Sequence, residues 1–208
     1  MSRNAMELPR ERAGGTRSRK PDLPVRRGSD GMARIAAPLV AFDLFAAGSG
    51  RDIIDIGAVR YENGAEVAEF STFVNPGRVL LPDEFEYCGV DPSRLYGAPG
   101  LAEVVGALDG FLKGAVLAAH RDSYNTWMLR KAYEKVGRAL LNPTIDELAH
   151  ARRLFDVLRR RYPYPDYLMT DFIAPPCAEP YHAVESARAC GGEFLMALNE
   201  VGVKWEFS

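Results

Sequence analysis

Apolar positions along this chain repeat with two different periods, and the change from one to the other marks out its elements. Residues 38–43 (PLVAFD) are a short, nearly unbroken apolar run, the pattern of a buried central strand. Residues 53–61 (IIDIGAVRY) and 65–74 (AEVAEFSTFV) alternate, and they flank ENG at 62–64, whose Asn-Gly pair favours a hairpin turn. Three strands therefore open the pattern, the last two antiparallel, and NPG at 75–77 ends it. After an irregular connection at 78–99, residues 100–113 place Leu101, Val104, Val105, Leu108, Phe111 and Leu112 at helical spacing. AVLAAH at 115–120 is a second buried strand, ending in His120, and a helix follows at about 123–137 with Trp127, Leu129, Tyr133 and Val136 expected in the core. Residues 144–160 read as a short strand ending near Asp146 and then a helix, and a Pro-rich segment covers 162–180. The last helix, about 182–200, turns Val184, Ala187, Phe194, Leu195 and Leu198 inward, and Gly191 and Gly192 inside it each cost up to about 1 kcal/mol of helix propensity.

The order βββαβαβα predicts an α/β sandwich, a mixed five-stranded sheet with helices on both faces, in one domain over residues 36–208. Such sheets collect their chemistry where the central strands end. Asp43 and His120 both fall there.

Charge divides the chain in two. Residues 1–34 carry nine Lys/Arg against four acids, net +5, so with a total of −2 the remainder carries −7. With no apolar periodicity and much Gly, Pro and Ser, residues 1–35 are expected to form a disordered basic tail. Such an arm can hold nucleic acid by displacing counterions, or serve only as a solvated extension. No window has the 18 to 20 or so apolar residues of a membrane span, so no membrane partner is expected. No apolar leader with a cleavage signal is visible, and Cys88, Cys177 and Cys190 lack paired spacing. A reducing, cytoplasmic location is the expectation.

Several runs resemble the DnaQ-like, or DEDDh, 3′→5′ exonucleases, most of all the proofreading exonucleases of bacterial DNA polymerase III. They are IIDIGAVRYENGAEVAEFSTFVNPG, GVDPSRLYGAPGLAEVVGALDGFLKGAVLAAH, NPTIDELAHARRLF and HAVESARA, in family order and spacing. The resemblance implies a ribonuclease H-like three-layer sandwich. It also implies a site where two divalent cations about 3.5–4 Å apart clamp the attacking and leaving oxygens of a phosphodiester. The two ions repel strongly, so a cluster of carboxylates must hold them, with a His to activate the attacking water.

Position by position, this chain departs from that set. The family's Asp-x-Glu-Thr-Thr-Gly reads Asp43-Leu44-Phe45-Ala46-Ala47-Gly48; its His-Asn-x-x-Phe-Asp reads His120-Arg121-Asp122-Ser123-Tyr124-Asn125. Its His-x-x-x-x-Asp reads Tyr181-His182-Ala183-Val184-Glu185-Ser186. Of four acids only Asp43 remains, as a residual metal ligand, and the general base is replaced by Tyr181. A single carboxylate cannot offset four positive charges. The expected function is that of a catalytically inactive or severely impaired exonuclease fold, a pseudo-exonuclease binding single-stranded or 3′-terminal nucleic acid, with Phe45, Ala46 and Arg121 as contacts. Phe45 either fills the former metal pocket or offers a face to a base. No cofactor is expected in that state. Two alternatives stay open. One is an active exonuclease anchored on Asp43, needing Mg²⁺ or Mn²⁺, with Asp122, His182 and Glu185 as compensators. The other is a module whose partner is another protein. Asp52 and Asp55 are read as loop and strand-face charges, and Asp146 as structural.

Overall fold

The computed structural model describes residues 25–27, 29, 33–48, 52–85, 90–119, 122–146 and 182–200. Its central sheet is built from β3 (Leu39–Ala47), β4 (Asp52–Glu62), β5 (Ala65–Phe73), β6 (Val116–Ala119) and β7 (Thr144–Asp146), in the order β5-β4-β3-β6-β7. β3, β4 and β5 pair antiparallel, whereas β6 runs parallel to β3 and β7 parallel to β6. The predicted mixed five-stranded sheet is therefore present. Asn63 and Gly64 join β4 to β5 with φ of 55° and 80°. Both values are positive, as the tight two-residue hairpin turn requires, and this is why the Asn-Gly pair stands there.

Side-chain alternation along β3 divides the core. Val40, Phe42 and Leu44 face α3 (Leu101–Leu112) and α4 (Asp122–Lys135), packing with Val104, Val105, Leu108, Leu129 and Tyr133. Leu39 and Ala41 face the other way, against α5 (Ala183–Glu200), with Val184, Ala187, Phe194, Leu195 and Leu198. Helices thus cover both faces. Two short helices, α1 (Pro82–Phe85) and α2 (Ser93–Tyr96), lie in the connection read as irregular.

Two glycines set how closely α5 approaches the sheet. A Cβ on Gly57 of β4 would lie 1.9 Å from the backbone nitrogen of Val184, so only a bare backbone admits the first turn of α5 there. About two turns along, a Cβ on Gly191 would lie 2.4 Å from the Tyr61 ring and 2.8 Å from Ala41 Cβ. The helix-propensity cost read from sequence at Gly191 is thus the cost of close packing, offset by the apolar surface it brings together. Beside it the Tyr61 hydroxyl donates to the Arg188 carbonyl at 3.1 Å, and the Arg188 guanidinium reaches Glu66, Glu69 and Glu185, tying α5 to β5.

Four expectations need correction. The first strand runs on to Ala47, past the predicted end at Asp43, so Phe45 is a strand residue. Trp127, expected in the core, is 51% exposed, and Met128 takes the inward position. In a 3.6-residue repeat one step rotates a side chain by about 100°, and the tryptophan's size misled the phase. The stretch assigned to a disordered tail holds β1 (Val25–Arg27) and β2 (Ala33–Ile35), an antiparallel pair, and Ile35 is buried with the α5 core. Asp55, read as a strand-face charge, is buried on β4. Residues 1–24 and the helix and Pro-rich segment predicted between 147 and 180 lie outside the described residues.

The two adjacent glycines of α5 give a paired test. Gly191→Ala should destabilise the domain by about 2 kcal/mol or more through overpacking, while Gly192→Ala, with nothing within 4 Å of the new methyl, should stabilise it by up to about 1 kcal/mol. Urea denaturation of the two variants checks both signs.

Candidate functional site

At the end of β3 nearest α4 and α5, four residues share one face of the sheet. In the β3–β4 register Asp43 stands opposite Gly57 and Phe45 opposite Asp55, and directly opposed residues in a pair project to the same side. The register shifts between Phe45 and Ala46, a β-bulge that ends this alignment. Ala46 instead packs, partly buried, against the core on the α3–α4 side.

Asp43 is 9% exposed, and its Oδ1 accepts hydrogen bonds from the side-chain nitrogen of Asn125 at 2.7 Å and the backbone N–H of Leu44 at 2.9 Å. An ionised carboxylate only accepts, so the amide of Asn125 must turn its NH₂ toward it. Asn125 is itself buried on α4, which carries it to the strand end. Such a charge-assisted bond contributes about 1.5–3 kcal/mol and fastens the start of α4 to β3.

Asp55 is the residue that sequence reading missed. Its side chain is 3% exposed, and Oδ2 accepts the backbone N–H of Ala183 at 3.0 Å, capping the first turn of α5. Burial pushes its carboxyl pKa above the ordinary value; the Ala183 amide and His182 pull it down, and the Asp43 charge pushes it up again. The signal was present in IIDIGAV. An acid in the middle of an otherwise apolar strand, two residues before a glycine that admits a helix, is placed to receive that helix's end.

The other predicted positions are distributed as follows. His182 is half-buried at the start of α5, its ring 6.2 Å from that of Phe73. Phe73 lies beneath the Arg94 guanidinium, 4.5 Å from ring centre to carbon. Phe45 and Phe73 both pack against a cluster of Ala47, Ile54, Leu80, Val90 and Leu95. Phe45 remains partly exposed, so it fills space and still presents an edge. Ser186 is half-buried on α5, and Glu185 is exposed and accepts from Arg188 at 2.9 Å. Asp122 opens α4, but its side chain, like the whole of His120, Arg121 and Tyr181, lies outside the described residues.

Among the described residues no three His, Cys, Asp or Glu side chains converge to hold a metal ion. With Oδ1 of Asp43 taken by two N–H donors and Asn125 presenting nitrogen, these residues do not supply the ligand set of a two-cation centre.

Comparison with known proteins places the fold that carries this edge. The PolC-type DNA polymerase III of Caldanaerobacter subterraneus subsp. tengcongensis is 30% identical over 188 residues, which cover 88% of this chain and 13% of the polymerase. The nuclease domain of 3′hExo, a DEDDh family member solved bound to rAMP, superposes with a TM-score of 0.60 at 11% identity, over 83% of this chain and 96% of that one. Exonuclease X, solved with 5′ overhanging duplex DNA, gives 0.55 at 17% identity, over 79% and 93%. The chain belongs to the DnaQ-like (DEDDh) exonuclease family. Its sheet and helices form the family's ribonuclease H-like α/β fold. No family model matches the chain, and it spans only about an eighth of the polymerase's length.

Two predictions follow from the buried acids of this DnaQ-like domain. In a double-mutant cycle, Asp43→Ala and Asn125→Ala should each destabilise the fold, with a coupling of about 1–3 kcal/mol between them, read by urea melts. For Asp55, a carboxyl that titrates higher folded than unfolded binds protons more tightly in the folded state. Its contribution to stability therefore falls as pH rises through that interval. Asp55→Asn keeps an oxygen for the Ala183 amide without the charge. Its stability relative to the parent should rise as pH increases above about 4, and Asp55→Ala should show the same rise from a level lower by about 1–3 kcal/mol, the cost of leaving the Ala183 amide without its acceptor.

Proposed function

We propose that this domain is a pseudo-exonuclease, catalytically inactive or severely impaired, that binds single-stranded or 3′-terminal nucleic acid at the edge where Asp43 stands. The observation that carries this reading is the 2.7 Å hydrogen bond from Asn125 to Asp43. A neutral amide does for that carboxylate what a cation does in a metal-dependent nuclease, at a fraction of the charge. The same substitutions favour a bound strand. Each carboxylate absent from about 5 Å of a phosphate spares on the order of 3 kcal/mol of repulsion at an effective dielectric near 20. An edge whose remaining acids, Asp43 and Asp55, are buried and hydrogen-bonded can therefore approach a phosphate with less repulsion to screen. Phe45 and Phe73 offer apolar surface to a terminal base, and Arg94 stands over Phe73 as a cation for a phosphate.

The relatives support a nucleic-acid partner through what they are named for: a DNA polymerase, and exonucleases solved with DNA or a nucleotide. No helix among the described residues is long and apolar enough to cross a membrane. We assign the domain to the cytoplasm, where its cysteine usage and its partner agree.

The test uses the full chain with a 5′-labelled single-stranded oligonucleotide, as DNA and as RNA, in Mg²⁺ and in Mn²⁺. The expected outcome is a mobility shift that weakens with salt and no 3′ shortening. Shortening that Asp43→Ala abolishes would establish the active, shifted site instead. Absence of any shift at low salt would leave the protein-partner module.

A further inference from the structure

We propose that the outer face of α4 is a second nucleic-acid contact, a stacking platform for single-stranded nucleic acid leading away from the Asp43 edge. This rests on the nucleic-acid reading above and extends it from Tyr124, at the end of the second motif, to Trp127, Lys131 and Lys135 beyond it. Tyr124 and Trp127 are each 51% exposed, and their rings lie 6.4 Å apart with planes inclined by 30°. Large aromatics so exposed and already stacked on each other are unusual on a protein surface with no partner to meet.

Position on the helix connects them to the site. Asn125, beside Tyr124, turns inward to Asp43, so the platform begins one residue from the edge and runs along the helix. Tyr124, Trp127, Lys131 and Lys135 fall at i, i+3, i+7 and i+11, within about 80° of one another around the axis, and span roughly 16 Å. That is the length of four or five nucleotide steps at about 3.4 Å each. Trp127 also forms a wall of a cleft of about 390 Å³ with Ile53, Val74, Leu101, Met128 and Lys131.

Chemistry identifies the occupant. Arg130, Lys131 and Lys135 are exposed along this helix in a domain whose residues 35–208 carry −7. Lys131 forms an exposed pair with Glu134 at 2.5 Å, and Lys135 approaches Asp52 at 3.6 Å. Exposed pairs of this kind contribute little and exchange readily for a phosphate. Lysines are depleted in the centres of protein–protein interfaces, whereas aromatic faces alternating with cations are how single strands are held without sequence preference. A strand with its terminus at the Asp43 edge would stack bases on Trp127 and Tyr124 and place phosphates near Lys131 and Lys135.

Anisotropy of 5′-fluorescein dT₁₅ and U₁₅, with intrinsic tryptophan fluorescence recorded in parallel, tests the platform on the full chain. Trp127→Ala should weaken binding about ten-fold or more, and Trp127→Phe should retain most of it. Binding should quench the parent's fluorescence and leave that of Trp127→Phe, which keeps Trp205, unchanged. Lys131→Ala with Lys135→Ala should reduce the slope of log K against log salt by about 1.4. Circular dichroism melts confirm that each variant is folded. If the parent binds and Trp127→Ala binds equally well, the platform is wrong while the nucleic-acid reading stands. If the parent binds neither probe at low salt, that reading fails and the platform falls with it.

Discussion

A carboxylate taken out of water must find either cations or donors, and at the end of β3 it finds donors. Asp43 is satisfied by Asn125 and by the Leu44 amide, and this one choice organises what surrounds it. It fixes where α4 begins, because the helix must bring an amide to the strand end. It also leaves a buried negative charge, which Asp55 feels as repulsion on the neighbouring strand. A metal-bound version of the same edge would draw its groups together through the charge of the cations. This one is held by hydrogen bonds, each made within the protein.

Asp55 carries the constraint to the neighbouring strand. Its carboxylate receives the Ala183 amide while Gly57, two residues on, clears the space for the backbone of Val184. An acid that caps and a glycine that yields are both needed: the acid alone would meet a helix held too far away, and the glycine alone would leave a buried N–H unsatisfied. His182 stands at that same turn. The contacts that position α5 against β4 are therefore demanded by the fold itself, whatever chemistry the edge performs.

Most of the architecture was legible because burial imposes periodicity. β4 and β5 alternate, α3 and α5 repeat at helical spacing, and Asn63-Gly64 can take few backbone shapes other than the turn it forms. What periodicity cannot do is decide between adjacent positions of similar apolarity. Trp127 and Met128 were equivalent to a reading by hydrophobicity, yet only the smaller, unbranched Met128 faces the core while the indole lies outside. Nor does it recognise a buried acid whose partner is a backbone amide 128 residues away, which is why Asp55 read only as a strand-face charge. At the site, the changed letters at Phe45, Asn125 and Ser186 were evident from sequence, but that Asn125 turns its nitrogen onto Asp43 follows only from their meeting in space. The β1–β2 pair was hidden for a different reason. Three-residue strands in a basic, Gly- and Pro-rich stretch carry too short a pattern to separate from coil.

On the reading proposed above, loss of catalytic acids and retention of a binding surface would be the same physical change seen from two sides. A nuclease edge with four carboxylates repels its own substrate until metal ions arrive, so its affinity is set by the ions. Replace three of the acids with an aromatic ring, an amide and a hydroxyl, and the ions lose their seat while the phosphate loses its principal repulsion. The replacements are not inert fillers in this balance. Phe45 adds apolar surface beside Phe73, and Arg94 adds a cation beyond it, so the edge moves toward the composition of a single-strand binding groove. Selection for hydrolysis would have no reason to place an aromatic where a ligand belongs. Selection for holding a strand uncut, free of metal supply, would favour it at that position.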